Sequence, residues 1–162
     1  MGRMKVGQGL DAHRLVPGRP LVLGGVPIAH DRGLEGHSDG DVLLHAIANA
    51  VLGALGRGDL GVHFPSSSHE FEGISSRVIL GRVAGWVRDD GYAVSNVDAT
   101  VVAQEPRLAP HAVKMEAMIA ATLEIPQDRV NVKVTSTDTL GAIGRAEGIS
   151  ASAVALLERA RR

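Results

Sequence analysis

The sequence GHSDGDVLLHAIANAVLGA, residues 36–54, decides the fold of this chain. Its second part is apolar almost all round, and such a run predicts a buried helix that ends near Leu55. One polar side chain interrupts the run, because His45 occupies a position where a leucine would be expected. The stretch therefore predicts a core helix that carries one histidine into the interior.

The polar entrance to this helix supplies its end signals. Ser38 or Asp39 can cap the helix, and Asp41 in the first turn suits the helix dipole. Gly56 suits the position after the last turn. His37, Ser38 and Asp39 could also meet a ligand, since a helix N-terminus can receive a phosphate group. Capping and phosphate binding are both open for these residues.

A second group of polar residues comes earlier in the chain. Residues 4–10 read as a strand, and Asp11 and His13 follow directly. Side chains two positions apart face the same side of an extended chain, so these two would project together. With His45 they form a possible zinc site of two imidazoles and one carboxylate, whose fourth position stays open in a catalytic site. A turn at Asp11 and a purely structural role for His45 are the alternatives.

Composition restricts the class of protein. The 162 residues are 44% hydrophobic with a net charge of −1, which suits one domain with a substantial core. Aromatic residues make up only 2% and the charges are scattered, so no nucleic-acid partner is expected. Without cysteine, a metal site would need histidine and carboxylate ligands. The sequence shows no signal peptide and no membrane span, so we expect a cytoplasmic protein without a membrane partner.

Strands and helices alternate along the chain, which predicts one layered α/β domain over residues 1–162. Gly24 and Gly25 separate two short apolar runs and indicate a hairpin. In the strand predicted at 93–103, Ala93 and Val97 are expected on the buried face. Strands are predicted at 4–10, 21–23, 26–28, 93–103 and around 130–134, helices up to 55, at 75–90 and at 111–123, and loops at 29–36 and 57–73. The segment 148–157 is compatible with a strand or a helix.

A polar turn follows the strand around residue 134. Thr135, Ser136, Thr137 and Asp138 supply hydroxyls, backbone donors and one carboxylate. These residues could simply cap a helix. They could instead hold a diphosphate, with Asp138 binding a hard cation such as Mg²⁺.

Further motifs accompany the histidine-bearing helix in order along essentially the whole chain. They are GLDAHR (9–14), HSDGD (37–41) with His45, GDLG (58–61), Phe64-Pro65, Ala103-Gln104 with Pro106, VNVK (130–133) and GRAEGI (144–149). Together they resemble the 2-C-methyl-D-erythritol 2,4-cyclodiphosphate synthases of the non-mevalonate isoprenoid pathway. The HSDGD block with its following histidine is highly specific.

The resemblance implies two metal sites. Positions that match Asp11, His13 and His45 bind zinc in the family. The position that matches Asp138 contributes to a Mg²⁺ or Mn²⁺ ion that bridges two phosphates. These four residues and His37 are the ones expected to be catalytic.

The resemblance also implies a site for a nucleotide diphosphate. His37 and Ser38 would approach the methylerythritol phosphate end, and Asp59 and Gly61 the sugar region. A cytidine diphosphate pocket would combine Ala103, Arg107 and Leu108 with Thr135 and Ser136 from a neighbouring subunit. The implied substrate-binding residues are His37, Ser38, Asp59, Gly61, Phe64, Ala103, Arg107, Leu108, Thr135, Ser136, Thr137 and Arg145.

The family implies a particular architecture as well. Its members are α+β proteins with a mixed sheet covered by helices, and three copies pack their sheets around a threefold axis. This homotrimer favours a strand at 149–157. Arg145 would line the axis, where an isoprenoid diphosphate could bind.

Some positions depart from the family's usual pattern. Ser66 and Ser68 stand where aspartates that hold methylerythritol hydroxyls are common. Arg107 replaces the usual lysine, and Asp138 a frequent glutamate. None of these changes removes an expected zinc ligand.

The implied reaction is an intramolecular cyclisation. The 2-phosphate of 4-diphosphocytidyl-2-C-methyl-D-erythritol 2-phosphate would attack the β-phosphorus, forming 2-C-methyl-D-erythritol 2,4-cyclodiphosphate and releasing CMP. A zinc-dependent phosphoesterase and a non-catalytic trimeric binder of isoprenoid diphosphates are the alternatives.

Overall fold

The computed structural model describes residues 4–160, which form seven strands and five α-helices. The strands are β1 (Met4–Pro17), β2 (Leu21–Leu23), β3 (Val26–Ile28), β4 (Arg32–Leu34), β5 (Tyr92–Val102), β6 (Val130–Thr135) and β7 (Gly148–Arg159). The helices are α1 (Val42–Leu55), α2 (Leu60–His63), α3 (Ser76–Asp89), α4 (Ala112–Leu123) and α5 (Gly141–Gly144). Short 3-10 turns lie at His69–Phe71, Ala109–His111 and Gln127–Arg129.

Five strands form one mixed sheet in the order β4-β1-β7-β5-β6. Only β5 and β6 run parallel, and the other neighbours are antiparallel. The ambiguous C-terminal segment is β7, a strand near the middle of the sheet, where β1 and β5 flank it. The hairpin at Gly24-Gly25 is also confirmed, because β2 and β3 pair as a separate two-stranded sheet. This mixed α+β arrangement is the expected fold class.

β1 is longer than predicted. It continues past residue 10 to Pro17, so Asp11 and His13 lie within the strand rather than after it. The reason is that β7 pairs with β1 without interruption from Met4 to Arg14. Asp11 and His13 are two positions apart, so their side chains face the same side of the sheet as expected, and this is the side that helices cover.

Helix α1 packs tightly on this side of the sheet. Twelve of its fourteen residues are buried, which confirms the predicted core helix. Two strand glycines allow the close approach. A Cβ on Gly9 would lie 2.0 Å from the carbonyl oxygen of Ala46, and one on Gly7 would lie 2.0 Å from that of Ala50. The absence of side chains at these two positions therefore sets the distance between sheet and helix.

The N-terminus of α1 is capped differently from the prediction. The cap is Asp41, whose Oδ1 accepts a hydrogen bond from Leu44 N at 3.1 Å. Its carboxylate also accepts bonds from the backbone N–H groups of Gly24 and Gly25 at 3.0 and 2.7 Å. One fully buried carboxylate thus satisfies a helix end and a hairpin turn together. Ser38 and Asp39, the predicted caps, make other contacts.

Three smaller predictions are also corrected. The predicted loop at 29–36 contains β4, which pairs with β1 at Leu15 and Leu34. The connection at 57–73 contains α2 and a 3-10 turn. In β5, Val97, Ala99 and Val101 are buried as predicted, but Ala93 is exposed and Val94 is buried instead. A register shift between Val94 and Asn96 causes this error, because one extra residue reverses the alternation.

The other face of the sheet carries no helix in the described residues. Val6, Leu10 and Val154 are exposed there, although each is a large apolar side chain. Between residues 4 and 160, no helix combines the length and apolar character needed to cross a membrane.

Candidate metal centre and cleft

Asp11, His13 and His45 converge as the sequence predicted. The first two side chains rise from neighbouring same-face positions of β1, and His45 comes down from the first turn of α1. Asp11 Oδ2 lies 2.8 Å from His13 Nε2 and 3.0 Å from His45 Nδ1, and the two nitrogens are 3.2 Å apart. No other group of three potential ligands with this spacing occurs within residues 4–160.

The remaining nitrogen of each histidine faces away from this cluster. His13 Nδ1 donates to the backbone carbonyl of Glu35, which leaves a lone pair on Nε2. His45 Nε2 lies 2.9 Å from Ser76 Oγ and 3.1 Å from Ser38 Oγ. Such outward hydrogen bonds select the tautomer and hold the ring of a metal-binding histidine.

The donor set fits a divalent metal ion. Two imidazole nitrogens and one carboxylate oxygen suit zinc, and the donors of a tetrahedral zinc site are about 3.3 Å apart. The observed separations of 2.8 to 3.2 Å are slightly shorter. Three convergent donors with a cleft beside them leave a further coordination position for a ligand.

Electrostatic interactions between Asp11 and the two histidines shift the pKa values within the cluster. Burial alone would raise the pKa of Asp11, but hydrogen bonds and positive charge from His13 and His45 lower it far below its usual value. Burial alone would lower the pKa of His13, but its hydrogen bond and charge interaction with Asp11 raise it. The carboxylate is therefore held in its charged form, which is the form that binds a metal ion.

The cluster lines an open cleft of about 700 Å³. Eight of the expected site residues lie around this cleft, together with Ser66, one of the two serines that depart from the family pattern. The eight are Asp11, His13, His37, Ser38, His45, Asp59, Gly61 and Phe64. His37 is held there by a 2.9 Å hydrogen bond to the carbonyl oxygen of Ser68.

The short helix α2 forms part of the wall of the cleft. Asp59 caps α2 by accepting a hydrogen bond from Val62 N at 3.1 Å. The first residue of that helix, Leu60, donates its N–H to Asn49 Oδ1 at 2.9 Å. Asn49 lies one turn after His45 on α1. The same helix therefore contributes a residue to the candidate metal centre and holds the Asp59 loop.

The other expected site residues gather elsewhere in the chain. The backbone N–H of Ala103 donates to the carbonyl oxygen of Thr135 at 3.0 Å, and Gln104 accepts a bond from Thr139 N at 3.0 Å. These contacts place the segments 103–108 and 135–138 side by side at the carboxyl ends of β5 and β6. The resemblance assigned Thr135 and Ser136 to a neighbouring subunit, whereas here they adjoin Ala103 in the same chain. None of these residues lines the 700 Å³ cleft.

Within this second group, the side chains are mostly open to solvent. Arg107, Thr135, Ser136 and Asp138 are exposed, and Thr137 is half-buried. Leu108 is buried beneath them. Ser136 Oγ donates to Asp138 Oδ1 and accepts from Asp138 N, each at 3.2 Å, so the hydroxyl and the carboxylate lie together in one local turn.

Arg145 stands apart from both groups. It is exposed, and its Nε donates to Glu147 at 2.6 Å. Its guanidinium charge is thus already paired within the chain.

Sequence reasoning missed two residues, Ser76 and Asn49. Ser76 looks like one of two adjacent serines at the start of α3, and Asn49 looks like a polar interruption of α1. Their partners are 31 and 11 residues away, so no local pattern reveals them.

A cleft with two histidines and one carboxylate converging on a mixed α+β fold defines a candidate metal-dependent enzyme. The comparisons with known proteins identify the family. The YgbB family model matches residues 4–158. A 2-C-methyl-D-erythritol 2,4-cyclodiphosphate synthase from Thiobacillus denitrificans is 55% identical over 159 residues, covering 98% of this chain and 99% of the relative. One from Geotalea daltonii is 56% identical over 156 residues, covering 96% and 91%.

Solved structures show the same fold. The bifunctional IspDF from Campylobacter jejuni matches with a TM-score of 0.94 and 39% identity, covering 98% of this chain but only 43% of that larger chain. IspF from Plasmodium falciparum, solved in complex with CDP, matches with a TM-score of 0.86 and 31% identity, covering 98% and 97%. The chain therefore belongs to the YgbB family, and it is an enzyme of the 2-C-methyl-D-erythritol 2,4-cyclodiphosphate synthase type.

Proposed function

We propose that this protein cyclises 4-diphosphocytidyl-2-C-methyl-D-erythritol 2-phosphate. An oxygen of the 2-phosphate attacks the β-phosphorus, the bond from that phosphorus to the CMP oxygen breaks, and 2-C-methyl-D-erythritol 2,4-cyclodiphosphate and CMP leave. The attacking group belongs to the substrate, so no residue of the chain has to act as a nucleophile. Catalysis then consists of positioning the two phosphates and offsetting their charge.

The observation that supports this proposal most strongly is the convergence of Asp11, His13 and His45 beside a cleft in a chain of this family. These three residues would hold Zn²⁺, and Asp138 would contribute to binding Mg²⁺ or Mn²⁺. Bound there, the two cations would act as Lewis acids that withdraw negative charge from phosphate oxygens. Asp138 is the only carboxylate of its turn, so the second cation would be held largely by the substrate's own phosphates.

Residues around the cleft would orient the methylerythritol part. His37 and Ser38 lie at the polar entrance to α1 and would face the phosphate end of the substrate. Asp59 and Gly61 would contact the sugar region, with Phe64 beneath it. Ser66 lines the same cleft, and its hydroxyl could contact a methylerythritol hydroxyl where relatives use a carboxylate.

The cytidine diphosphate pocket would come from the second group of residues. Ala103, Arg107 and Leu108 lie beside the turn at 135–138 in one chain, away from that chain's own cleft. We therefore expect this whole group to face the metal centre of a neighbouring subunit. A single chain would then contribute one half to each of two sites.

A homotrimer satisfies this requirement. The helix-free face of the sheet exposes Val6, Leu10 and Val154, and burying such apolar side chains against other copies would stabilise an assembly. With three sheets packed around a threefold axis, each cleft lies at a boundary between subunits. Arg145 would then lie near the axis, where an isoprenoid diphosphate could bind.

The test is an assay of products. Purified protein is incubated with the diphosphocytidyl substrate, with and without a chelator, and the phosphorus species are identified by NMR. We expect CMP and the cyclic diphosphate in equal amounts, and neither after chelation. Formation of CMP with uncyclised methylerythritol 2,4-bisphosphate would instead identify a metal-dependent phosphoesterase and overturn the proposal.

A further inference from the structure

His45 is held from behind by buried hydroxyl groups. Its Nδ1 faces Asp11 and His13, while its Nε2 lies 2.9 Å from Ser76 Oγ and 3.1 Å from Ser38 Oγ. Ser76 is 1% exposed and Ser38 is 7% exposed, so water does not compete for these contacts. The ring orientation is therefore set by the protein on both sides.

The direction of the hydrogen bond between Ser76 and His45 follows from a third residue. Both carboxylate oxygens of Asp39 face Ser76: Oδ1 accepts from the Ser76 hydroxyl, and Oδ2 accepts from its backbone N–H at 3.0 Å. A hydroxyl has one proton to donate. Since Asp39 receives that proton, Ser76 Oγ can only accept a hydrogen bond from His45.

We propose that Ser76 is a positioning residue of the metal centre, which it serves by fixing the tautomer of His45. With the proton held on Nε2 by Ser76, Nδ1 presents a bare lone pair toward Asp11 and His13. The Asp39 carboxylate orients the Ser76 hydroxyl, and that hydroxyl in turn orients the imidazole of His45. A carboxylate thus holds a metal-binding histidine through one intervening hydroxyl. This inference rests on the proposed metal-binding function of His45.

A capping role does not account for the Ser76 hydroxyl. The cap of α3 is the preceding residue, Ser75, whose side chain accepts from Arg77 N at 3.3 Å. Ser76 is the first residue of the helix, and its hydroxyl bonds to Asp39 and His45 instead. The two adjacent serines therefore form a matched pair, one that caps the helix and one that contacts the histidine.

The experiment compares Ser76→Ala, Ser76→Thr and Ser75→Ala with the full-length wild-type protein. The Zn²⁺ dissociation constant is measured by competition with a chromophoric chelator. The tautomer of His45 in the metal-free protein is measured by long-range ¹⁵N–¹H NMR. In wild-type protein we expect zinc binding and a His45 protonated on Nε2.

Loss of a residue that orients a ligand typically weakens metal binding by about 10- to 100-fold. We expect that weakening for Ser76→Ala, with a population of His45 that is protonated on Nδ1 alone and has lost the proton on Nε2. Ser76→Thr keeps the hydroxyl and should restore both readouts, while Ser75→Ala should lower thermal stability and leave both unchanged. If Ser76→Ala does not fold, Ser76→Cys replaces it with the same expectations, because a thiol is a weak acceptor.

Two outcomes separate this inference from the proposed function. If wild-type protein binds zinc and Ser76→Ala binds it equally well with an unchanged tautomer, the role of Ser76 is refuted and the metal site stands. If wild-type protein binds no zinc, the proposed metal function itself fails. Equal weakening by Ser75→Ala would also refute the specific role of Ser76.

Discussion

His13 Nε2 and His45 Nδ1 lie 3.2 Å apart, although 32 residues separate them in the sequence. Two imidazole nitrogens at this distance, with a carboxylate oxygen within 3.0 Å of both, need protons or a metal ion to offset the repulsion between their lone pairs. The outward nitrogens are held by the carbonyl of Glu35 and by Ser76. The fold thus brings three donors together and prevents the rings from turning away.

Replacing His45 by alanine should remove zinc and cyclisation together. Two remaining ligands, Asp11 and His13, cannot complete a zinc site of the usual kind. We expect substoichiometric zinc after dialysis and a loss of turnover of at least about 100-fold, a size common when a metal centre loses a supporting contact. Zinc content is measured by atomic emission and turnover by CMP release.

His69 provides the control for that experiment. Its side chain is 97% exposed and lies outside the metal cluster. His69→Ala should retain full zinc and turnover within about twofold. A His45→Ala protein with full zinc and normal turnover would refute the assignment of the ligands.

Replacing Asp138 by alanine should lower turnover while zinc stays bound. A hydrogen bond or ion contact that involves a charged group contributes about 1.5–3 kcal/mol, which corresponds to roughly 10- to 100-fold in rate. The loss should be partly compensated at high Mg²⁺ or Mn²⁺ concentration. Asp128→Ala removes another exposed carboxylate and should have no effect. Loss of zinc from Asp138→Ala would show that the two metal sites had been confused.

Prediction from sequence succeeded where the signal was local. The apolar run predicted α1, and the two-residue spacing of Asp11 and His13 placed both side chains on one face of a strand. These features depend only on periodicity along the chain. The convergence with His45 was only one possibility until the family resemblance supported it.

Prediction failed where contacts join distant segments. The cap at Asp41 depends on Gly24 and Gly25, seventeen and sixteen residues earlier. The role of Ser76 depends on His45, which lies in another helix. In β5 a single irregularity after Val94 put Ala93 on the face opposite to the predicted one. None of these contacts leaves a pattern in the neighbouring sequence.

Asp41 should make stability depend on pH. Complete burial raises the pKa of Asp41 from 3.8 to about 6, against the opposing hydrogen bonds from Gly25 and Leu44. A group whose pKa is higher in the folded state contributes its full stability below the unfolded value and loses it as the pH rises through the folded value. The shift corresponds to about 3 kcal/mol, lost between about pH 4 and pH 7.

Asp41→Asn isolates this contribution, because an amide does not titrate. Urea unfolding of wild-type and variant protein between pH 4.5 and 7.5 should show the advantage of the wild type decreasing as the pH rises. The other titrating groups are common to both proteins and cancel in the difference, except Asp39, whose negative charge contributes to the raised pKa of Asp41. A difference that is constant or grows with pH would contradict the raised pKa.

Gly9→Ala should separate helix α1 from the sheet. The new Cβ would lie 2.0 Å from Ala46 O and 2.6 Å from Ala50 N, both backbone atoms that cannot rotate away. Overpacking of this kind costs about 1–3 kcal/mol or more, and the shift of α1 should also weaken zinc binding through His45. Gly81→Ala is the control. Nothing lies within 4 Å of its Cβ, so it should stabilise α3 by roughly 0.5–1 kcal/mol. Unchanged stability and zinc affinity in Gly9→Ala would refute this packing argument.

Asn49→Ala should weaken substrate binding without removing zinc. The Asn49 side chain accepts the Leu60 N–H at 2.9 Å and so holds the start of α2, directly after Asp59. A single hydrogen bond contributes about 0.5–1.5 kcal/mol, so we expect KM to rise by roughly 2- to 10-fold with little change in kcat. Hydrogen exchange of the Leu60 amide should accelerate in the same variant.

Asn49→Asp distinguishes this tether from general damage to α1. An aspartate keeps an acceptor oxygen in the same place, so it should preserve both the Leu60 hydrogen bond and the KM. Zinc content should be normal in both variants, because His45 lies a full turn away on the same helix. If alanine and aspartate impair the enzyme equally, acceptance of the Leu60 N–H is not what Asn49 contributes. If only alanine raises KM, the helix that carries His45 also sets the position of the Asp59 loop.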